Sequence, residues 1–505
     1  MSDAERVSLS LISHTNVGKT TLARTLLARP IGEVRDAPHV TAVAEAHTLI
    51  DTPAGDVLAL WDTPGFGDSV RLVKRLRQAG NPIGWFLSQV WDRWRDRPFW
   101  SSQEAVRNVR EHADAVLYLV NATENPGDAG YVAPEMEILE WIGKPAIVLL
   151  NQVGAPRPRA DEQAEEARWR RHLASHPVVR TVLTLDAFAR CWVQELALFT
   201  AVAAVLPETK RAAFARLGAA WRARRMATFE AAMGELALQL ARAACDREPV
   251  ADRSVRAALR EVAVALGLGR EGEPTAKDVA MQRLAERLDA DVRAATDRLI
   301  ELHALEGRAA GEVLARLADD FAVQARASEG KAAVLGGLVT GALTGLKADL
   351  ATGGLTFGAG LLAGGVLGAL GAAGIARGYN VVRGTEASLV RWSDEFLDGF
   401  FASALLRYLA VAHYGRGRGE WTQGEHPAHW KDAVAEVVAS RRDALRGIWA
   451  ERAGDCDAER LGVALRGELR TAALALLERL YPEAAPALRG TGDASAGTWD
   501  ESVGT

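Results

Sequence analysis

A cluster of residues near the N-terminus has the types and spacing to handle a polyphosphate. Asn16-Val17-Gly18-Lys19-Thr20-Thr21 follows an apolar run and leads into Leu22-Ala23-Arg24-Thr25-Leu26-Leu27. A phosphate-binding loop needs backbone N–H groups converging at a helix N-terminus, a lysine to neutralise charge and a hydroxyl for magnesium. Gly18, Lys19 and Thr20 supply these in order. The full pattern, G-x-x-x-x-G-K-[ST], has its first glycine where this chain has Ser13, at a turn that favours unusual backbone angles. A second element, Asp62-Thr63-Pro64-Gly65, places a carboxylate able to hold magnesium through water three residues before a glycine whose N–H can meet a γ-phosphate. Between the two lies Thr41, placed to bring its hydroxyl and carbonyl to the same metal and phosphate.

These residues need a scaffold that delivers loops to one edge. From Val7 to about Leu206 short apolar runs alternate with helical stretches, the pattern of an α/β domain with a mostly parallel sheet. Six strands are expected, at Val7 to Ile12, Val43 to Ile50, Val57 to Trp61, Ala115 to Val120, Ala146 to Leu150 and Val178 to Leu185. Lys19 and Thr20 then open the helix after the first strand, and Asp62 stands at the end of the third. Between Asp62 and Ala115 runs an aromatic-rich insertion, about 69–112, in which Leu87, Val90, Trp91 and Trp94 fall at the spacing of one amphipathic helix.

Asn16-Val17-Gly18-Lys19-Thr20 together with Asp62-Thr63-Pro64-Gly65-Phe66 resembles the Era-like branch of the translation-factor-related GTPases. The resemblance implies a P-loop GTPase fold, with GTP and Mg2+ as ligands. It implies a catalytic set of Lys19, Thr41 and Gly65, and metal ligation through Thr20, Thr41 and Asp62. Asn16, Val17, Gly18, Lys19, Thr20, Thr21, Asp62, Gly65 and Asn151 are the implied nucleotide contacts. In that branch a hydrophobic residue replaces the water-positioning glutamine, and Phe66 stands there. The water-activating group must then come from another segment, a partner, or a potassium ion of the kind some relatives use with an asparagine at the Asn16 position. The guanine-reading pattern Asn-Lys-x-Asp departs further, since the chain has Asn151-Gln152-Val153-Gly154. Gly154 lacks the carboxylate that would pair with guanine. Thr184-Leu185-Asp186 is the best match to the element flanking the base.

The remainder reads as a mainly α-helical region. A helical, coiled-coil-like segment is expected over 207–330, with Leu284, Leu288, Val292, Ala295, Leu299, Leu302, Ala309, Val313, Leu317 and Phe321 forming a stripe. A Gly-rich apolar hairpin follows over 331–377, then a helical region over 378–485 and a disordered tail over 486–505. Gly337, Gly341 and Gly345 are spaced by four, as are Gly360, Gly364 and Gly368, a pattern of close packing between membrane helices. As helices the two apolar segments would run roughly 22 Å and 40 Å, against a bilayer core of about 30 Å. An inserting membrane hairpin and a buried soluble hairpin both stay open. This order of parts resembles a bacterial GTPase family whose C-terminal half is an uncharacterised domain with such a hairpin.

Length and composition frame these parts. At 505 residues, with 49% hydrophobic and 25% charged residues, the chain describes a folded protein of more than one domain. A net charge of −5 gives no bias towards nucleic acid, and no specific nucleic-acid partner is indicated. Cys191, Cys245 and Cys456 lack any metal or redox spacing and are expected as unpaired thiols in a reducing cytosol. His39, His47, His112 and His172 lack a second ligand at metal spacing. Arg416 and Arg418 are expected in a solvated glycine loop.

The expectation is thus a GTP-binding switch with slow hydrolysis, cytoplasmic and peripheral or integral at the inner membrane. Lipid contact would run through 332–376, with a protein partner or a second copy of the chain as further partners. Two alternatives stand beside it. One is a membrane-remodelling or structural protein that binds nucleotide with little turnover, and the other is an ATPase.

Overall fold

The computed structural model describes residues 4–28, 44–89, 96–153, 157–187, 191–250, 276–305, 379–383, 388–414, 428–452 and 456–489. Thr41, Gly154, the apolar hairpin of 332–376, the Arg416 loop and the chain beyond 489 lie outside them. So do the stripe positions from Ala309 to Phe321.

The N-terminal part is built on six strands: β1 (Arg6–Ser13), β2 (Glu45–Asp51), β3 (Val57–Asp62), β4 (Ala115–Asn121), β5 (Ala146–Asn151) and β6 (Val179–Thr184). Their order is β2-β3-β1-β4-β5-β6, parallel except for β2, which runs against β3. Strands β1, β4 and β5 are buried on both faces, which is why they read as apolar runs. Because β1, β3 and β5 point the same way, their carboxyl ends bring Ser13, Asp62 and Asn151 to one edge of the sheet.

Helices cover both faces. One face carries α1 (Lys19–Leu27) and, later in the chain, α7 (Trp192–Val205) and α8 (Glu208–Cys245). The other is covered by α2 (Ser69–Leu76), α3 (Pro82–Ser88), α4 (Arg97–His112), α5 (Val132–Ile142) and α6 (Arg159–His172), around Phe66, Phe86, Phe99, Tyr118 and Trp169. The aromatic insertion is therefore not one helix through Trp94. Helix α3 stops at Ser88 and Gln89 is extended at ψ 148°, where Gln103 from α4 donates to the carbonyls of Phe86 and Gln89 at 2.7 Å each. Leu87 lies before that break, and Val90, Trp91 and Trp94 lie outside the described residues.

Helix α8 runs 38 residues, roughly 57 Å, away from the sheet into a helical bundle. There it packs on α9 (Ala276–Leu302), α10 (Asp394–Ala412) and α12 (Ala458–Leu480), with α11 (Ala428–Ala450) against α10 and α12. Leu284, Leu288, Ala295 and Leu299 of the expected stripe are buried in α9, with Val292 and Leu302 half-buried beside them. One continuous apolar core joins the α1 face of the sheet to this bundle. Two ion pairs reinforce the junction. Arg216 of α8 donates to both carboxylate oxygens of buried Asp56, just before β3, at 2.7 and 2.8 Å. Lys210 reaches Asp114, just before β4, at 2.8 Å.

Three expectations change. The helical region also holds a three-stranded antiparallel sheet, ordered β7 (Arg247–Val250), β9 (Ser388–Trp392), β8 (Tyr379–Arg383). Strands of four and five residues carry too little periodicity to stand out beside long helices. The tail begins later than 486, because the short helix α13 (Ala485–Arg489) is pinned by Arg222, which donates to the carbonyls of Ala487 and Leu488 at 2.7 and 2.9 Å. Finally, Cys245 and Cys456 are not separate thiols. The fold brings their Cα atoms to 5.4 Å across 211 residues and joins them as a disulfide. No spacing in sequence encodes that approach. Cys191 is buried at the N-cap of α7.

The paired hydrogen bonds from Arg216 hold the Asp56 carboxyl down at about 2, with the Glu5 N–H and Thr52 hydroxyl assisting against burial. A depressed carboxyl stabilises the fold above the unfolded value near 4 and loses that contribution as pH falls towards 2. Arg216→Ala is therefore expected to destabilise the fold at pH 7. In urea melts the gap to wild type should close as pH drops from 4 to 2.

Candidate functional site

The loop between β1 and α1 is shaped by two left-handed residues, Asn16 at φ 64° and Gly18 at φ 94°. At Gly18 a side chain is excluded twice, by this φ and because a Cβ would sit 2.8 Å from Asn151 Nδ2. Gly18 stands at the N-cap of α1 with no side-chain cap, so the helix presents its first turn to the loop edge of the sheet. Lys19 is buried there. Its Nζ donates to Ser13 Oγ at 2.9 Å and to the His14 carbonyl at 3.4 Å. Ser13, the departure from the glycine pattern, thus serves as a rest for the lysine.

Opposite Lys19 stands the end of β3. Thr20 Oγ1 donates to Asp62 Oδ2 at 2.6 Å. The other carboxylate oxygen, Asp62 Oδ1, is buried with no hydrogen-bond partner among the described residues. Burial raises the Asp62 carboxyl to about 6, against the pull of the Thr20 hydroxyl and the Lys19 charge. Burial likewise lowers the Lys19 amine to about 8, opposed by Asp62 and Glu135. A hydroxyl beside a buried carboxylate with one oxygen unmatched fits a magnesium ion held by Thr20, with Asp62 bonding its water shell. Gly65 closes the cradle: a Cβ there would lie 2.9 Å from Lys19 Nζ and 3.1 Å from Thr15 Cα. The next residue, Phe66, is fully buried, and its N–H donates to the Ser13 carbonyl at 2.9 Å.

Asn151, expected at the purine, has a structural duty. Its Nδ2 donates to the Val17 carbonyl at 2.7 Å, and its Oδ1 accepts from the Ala187 N–H at 2.8 Å. Asp186 accepts from the Val153 N–H at 2.6 Å, while Thr184 bonds Glu166 through both N–H and hydroxyl. Val17 and Thr21 are buried beside the loop, and Asn16 is exposed at its tip. The structure therefore gathers Ser13, Asn16, Val17, Gly18, Lys19, Thr20, Thr21, Asp62, Gly65 and Asn151 at one edge.

Two residues at this edge went unmarked in the sequence. His14, inside the loop, meets Glu135 of α5 at 2.8 Å, and Tyr118 of β4 donates to the other oxygen of that carboxylate at 2.7 Å. Glu135 is the fourth residue of an apolar helix start, and only its full burial distinguishes it. The available signal was a histidine within the loop itself.

The Asn151 tether generates a test. Asn151→Ala leaves the buried Val17 carbonyl and Ala187 N–H unpaired and is expected to cost about 2 kcal/mol in urea unfolding. Nucleotide affinity should fall with it, because the loop loses its fixed shape.

Comparison with known proteins completes the site. Residues 8–152 match the family described as a 50S ribosome-binding GTPase. Residues 171–454, more than half of the chain, match the family described as a domain of unknown function (DUF3482). Among solved structures, Era in complex with MgGDPNP and a segment of 16S ribosomal RNA is 18% identical, over 41% of this chain and 58% of that one, with a TM-score of 0.31. Aquifex aeolicus Era bound to GDP and aluminium fluoride is 18% identical, over 40% and 57%, at 0.31. An oligomerised bacterial dynamin pair is 10% identical, over 96% and 73%, at 0.23. The chain thus spans less than two thirds of the Era chains it matches. No curated protein matches it. With its phosphate loop and helical continuation in place, the chain belongs to the family of the domain of unknown function (DUF3482), joined to an N-terminal Era-like P-loop GTPase domain.

Proposed function

We propose that this protein is a slow GTPase switch whose nucleotide state is passed from the sheet edge to the helical bundle. The observation that carries the proposal is the meeting of buried Lys19 and half-buried Thr20, at the N-terminus of α1, with buried Asp62 at the end of β3. Lys19 neutralises the β- and γ-phosphates, and the first turn of α1 with Asn16, Val17, Gly18 and Thr21 wraps them. Thr20 and Thr41 would hold a magnesium ion, Asp62 would bond its water, and the Gly65 N–H would meet the γ-phosphate. When bound, the metal would supply charge neutralisation to the phosphates. Phe66 is buried and apolar, so turnover is slow unless another group orders the attacking water; potassium at Asn16 is one such group.

Coupling to the bundle has two supports. Strand β3 runs from the Asp56–Arg216 pair at one end to Asp62 at the other, so a shift at the metal edge pulls on α8. The Ala187 loop, bonded to both Asn151 and Thr25, leads into α7. We place the GTPase domain at 1–206, helical regions at 207–330 and 378–485, and the apolar hairpin at 331–377. The hairpin's glycine spacing supports docking on the cytoplasmic face of the inner membrane, with a protein partner or a second copy. Among the described residues no helix is long and apolar enough to cross a membrane.

One observation favours a second reading, an ATPase. Gly154 lacks the guanine-pairing carboxylate, and the nearby Asp186 carboxylate accepts from the Val153 N–H. Competition of GTP against ATP for the purified chain decides between them. Lys19→Ala is expected to weaken binding of a non-hydrolysable GTP analogue about 10- to 100-fold; unchanged affinity would sink the phosphate-loop assignment. Deletion of 332–376 should abolish liposome flotation, and persistence of flotation removes the hairpin's membrane role.

A further inference from the structure

We propose that His14, oriented by Glu135, is the group that takes the proton from the attacking water, filling the role left open by Phe66. This rests on the hydrolysis proposed above and names the residue that performs it.

His14 occupies the residue after β1 and pairs with Phe66 as an isolated parallel bridge, so it lies beside the position where related enzymes carry a water-positioning side chain. Its carbonyl is 3.4 Å from Lys19 Nζ. Its chain neighbour Thr15 approaches Gly65 so closely that a Cβ there would be 3.1 Å from Thr15 Cα. The His14 backbone is therefore anchored at the rim of the γ-phosphate cradle, on the Phe66 side.

The ring is also oriented. Nδ1 lies 2.8 Å from Glu135 Oε1, while the Tyr118 hydroxyl donates to Oε2 at 2.7 Å. A carboxylate that accepts from Tyr118 accepts from the imidazole too, so Nδ1 carries the proton and Nε2 holds a lone pair. Tyr131 stacks on the ring at 4.5 Å between centroids, and its own hydroxyl donates to Glu124 at 2.9 Å. Glu135 is fully buried, whereas the His14 side chain keeps 30% of its surface open. A buried acid fixing one nitrogen of a partly exposed imidazole is the arrangement of a base held by an orienting carboxylate.

The step balances. The oxygen of water bonds to the γ-phosphorus as the bond to the β–γ bridging oxygen breaks, and that electron pair stays on the diphosphate. The water proton passes to His14 Nε2, the imidazolium is offset by Glu135, and the proton then returns to the released phosphate. The charged and titratable groups around the ring are Glu135 of α5, Tyr118 of β4, Tyr131 and Glu124 before α5, and Lys19 of α1, with Asp62 of β3 across the cradle. Burial raises the Glu135 carboxyl, and its bonds to His14 and Tyr118, with the Lys19 charge, oppose that.

The test is single-turnover phosphate release from GTP and Mg2+ by the full chain, between pH 5.5 and 8.5. His14→Asn is the first variant, since its side-chain N–H can replace Nδ1 against Glu135 without supplying a base. It should lower the rate roughly 100-fold while binding a non-hydrolysable GTP analogue within about twofold of wild type. Whatever pH dependence the wild-type rate shows should be absent in His14→Asn. Added imidazole should restore part of the rate of His14→Ala, which a merely structural role would not allow. A His14→Asn rate within threefold of wild type, or a pH dependence that persists unchanged in His14→Asn, overturns the assignment of His14 alone. No turnover by wild type overturns this assignment and the hydrolysis proposal together.

Discussion

The carboxamide of Asn151 is the bond on which the nucleotide edge depends. It sits buried at the end of β5, donates to the Val17 carbonyl in the phosphate loop and accepts from Ala187 in the loop before α7. Thr25 of α1 donates to the Ala187 carbonyl at 3.0 Å, so both faces of that one peptide position are held. A phosphate loop works only if its N–H groups are pre-oriented, because ordering them on binding would consume affinity. Here the orientation comes from a strand end and a neighbouring loop rather than from the loop's own residues. That explains why Gly18 must be glycine, with Asn151 Nδ2 lying where a side chain would begin.

The same position links the site to the bundle. Beyond Ala187 the chain enters α7, where Trp192 Nε1 donates to the Tyr408 hydroxyl at 3.0 Å and Phe229 meets that tyrosine edge-on. Helix α8 adds a second route through Arg216 and Asp56. On α7, Glu195 is fully buried but takes two bonds from Arg225 and one from Trp221, so its charge is matched inside the core. Packing of this kind resists gradual deformation. The electrostatics at the sheet edge point the same way. Lys19, Asp62 and Glu135 are three buried ionisable groups within mutual influence, each pulled towards its neutral form by burial. A polyphosphate and a divalent cation would supply the missing counter-charges.

Much of this was legible beforehand. Gly18-Lys19-Thr20 and Asp62-Thr63-Pro64-Gly65 mark the edge, because the local backbone and a few side chains carry nearly all of the chemistry. The six strands stand out because parallel strands buried on both faces leave long apolar runs. What escaped notice has a common cause. His14 and Glu135 are 121 residues apart, Asp56 and Arg216 are 160 apart, and Cys245 and Cys456 are 211 apart. A pairing across such distances leaves no mark in spacing or periodicity. The helix break at Gln89 was hidden for a related reason, since Gln103 from a neighbouring helix bonds the carbonyls of Phe86 and Gln89 there.

The sequence by itself therefore determined the fold class, the phosphate loop, the acidic partner at the end of β3 and the helical character of the remainder, all of which follow from local residue order. Only the tertiary structure decided that Asn151 braces the loop, that Ser13 supports Lys19 and that a histidine in the loop meets a buried acid. It also decided that β3 starts from an ion pair with the bundle. Each of these depends on which strands lie side by side, and the order β2-β3-β1-β4-β5-β6 is a property of the packed sheet.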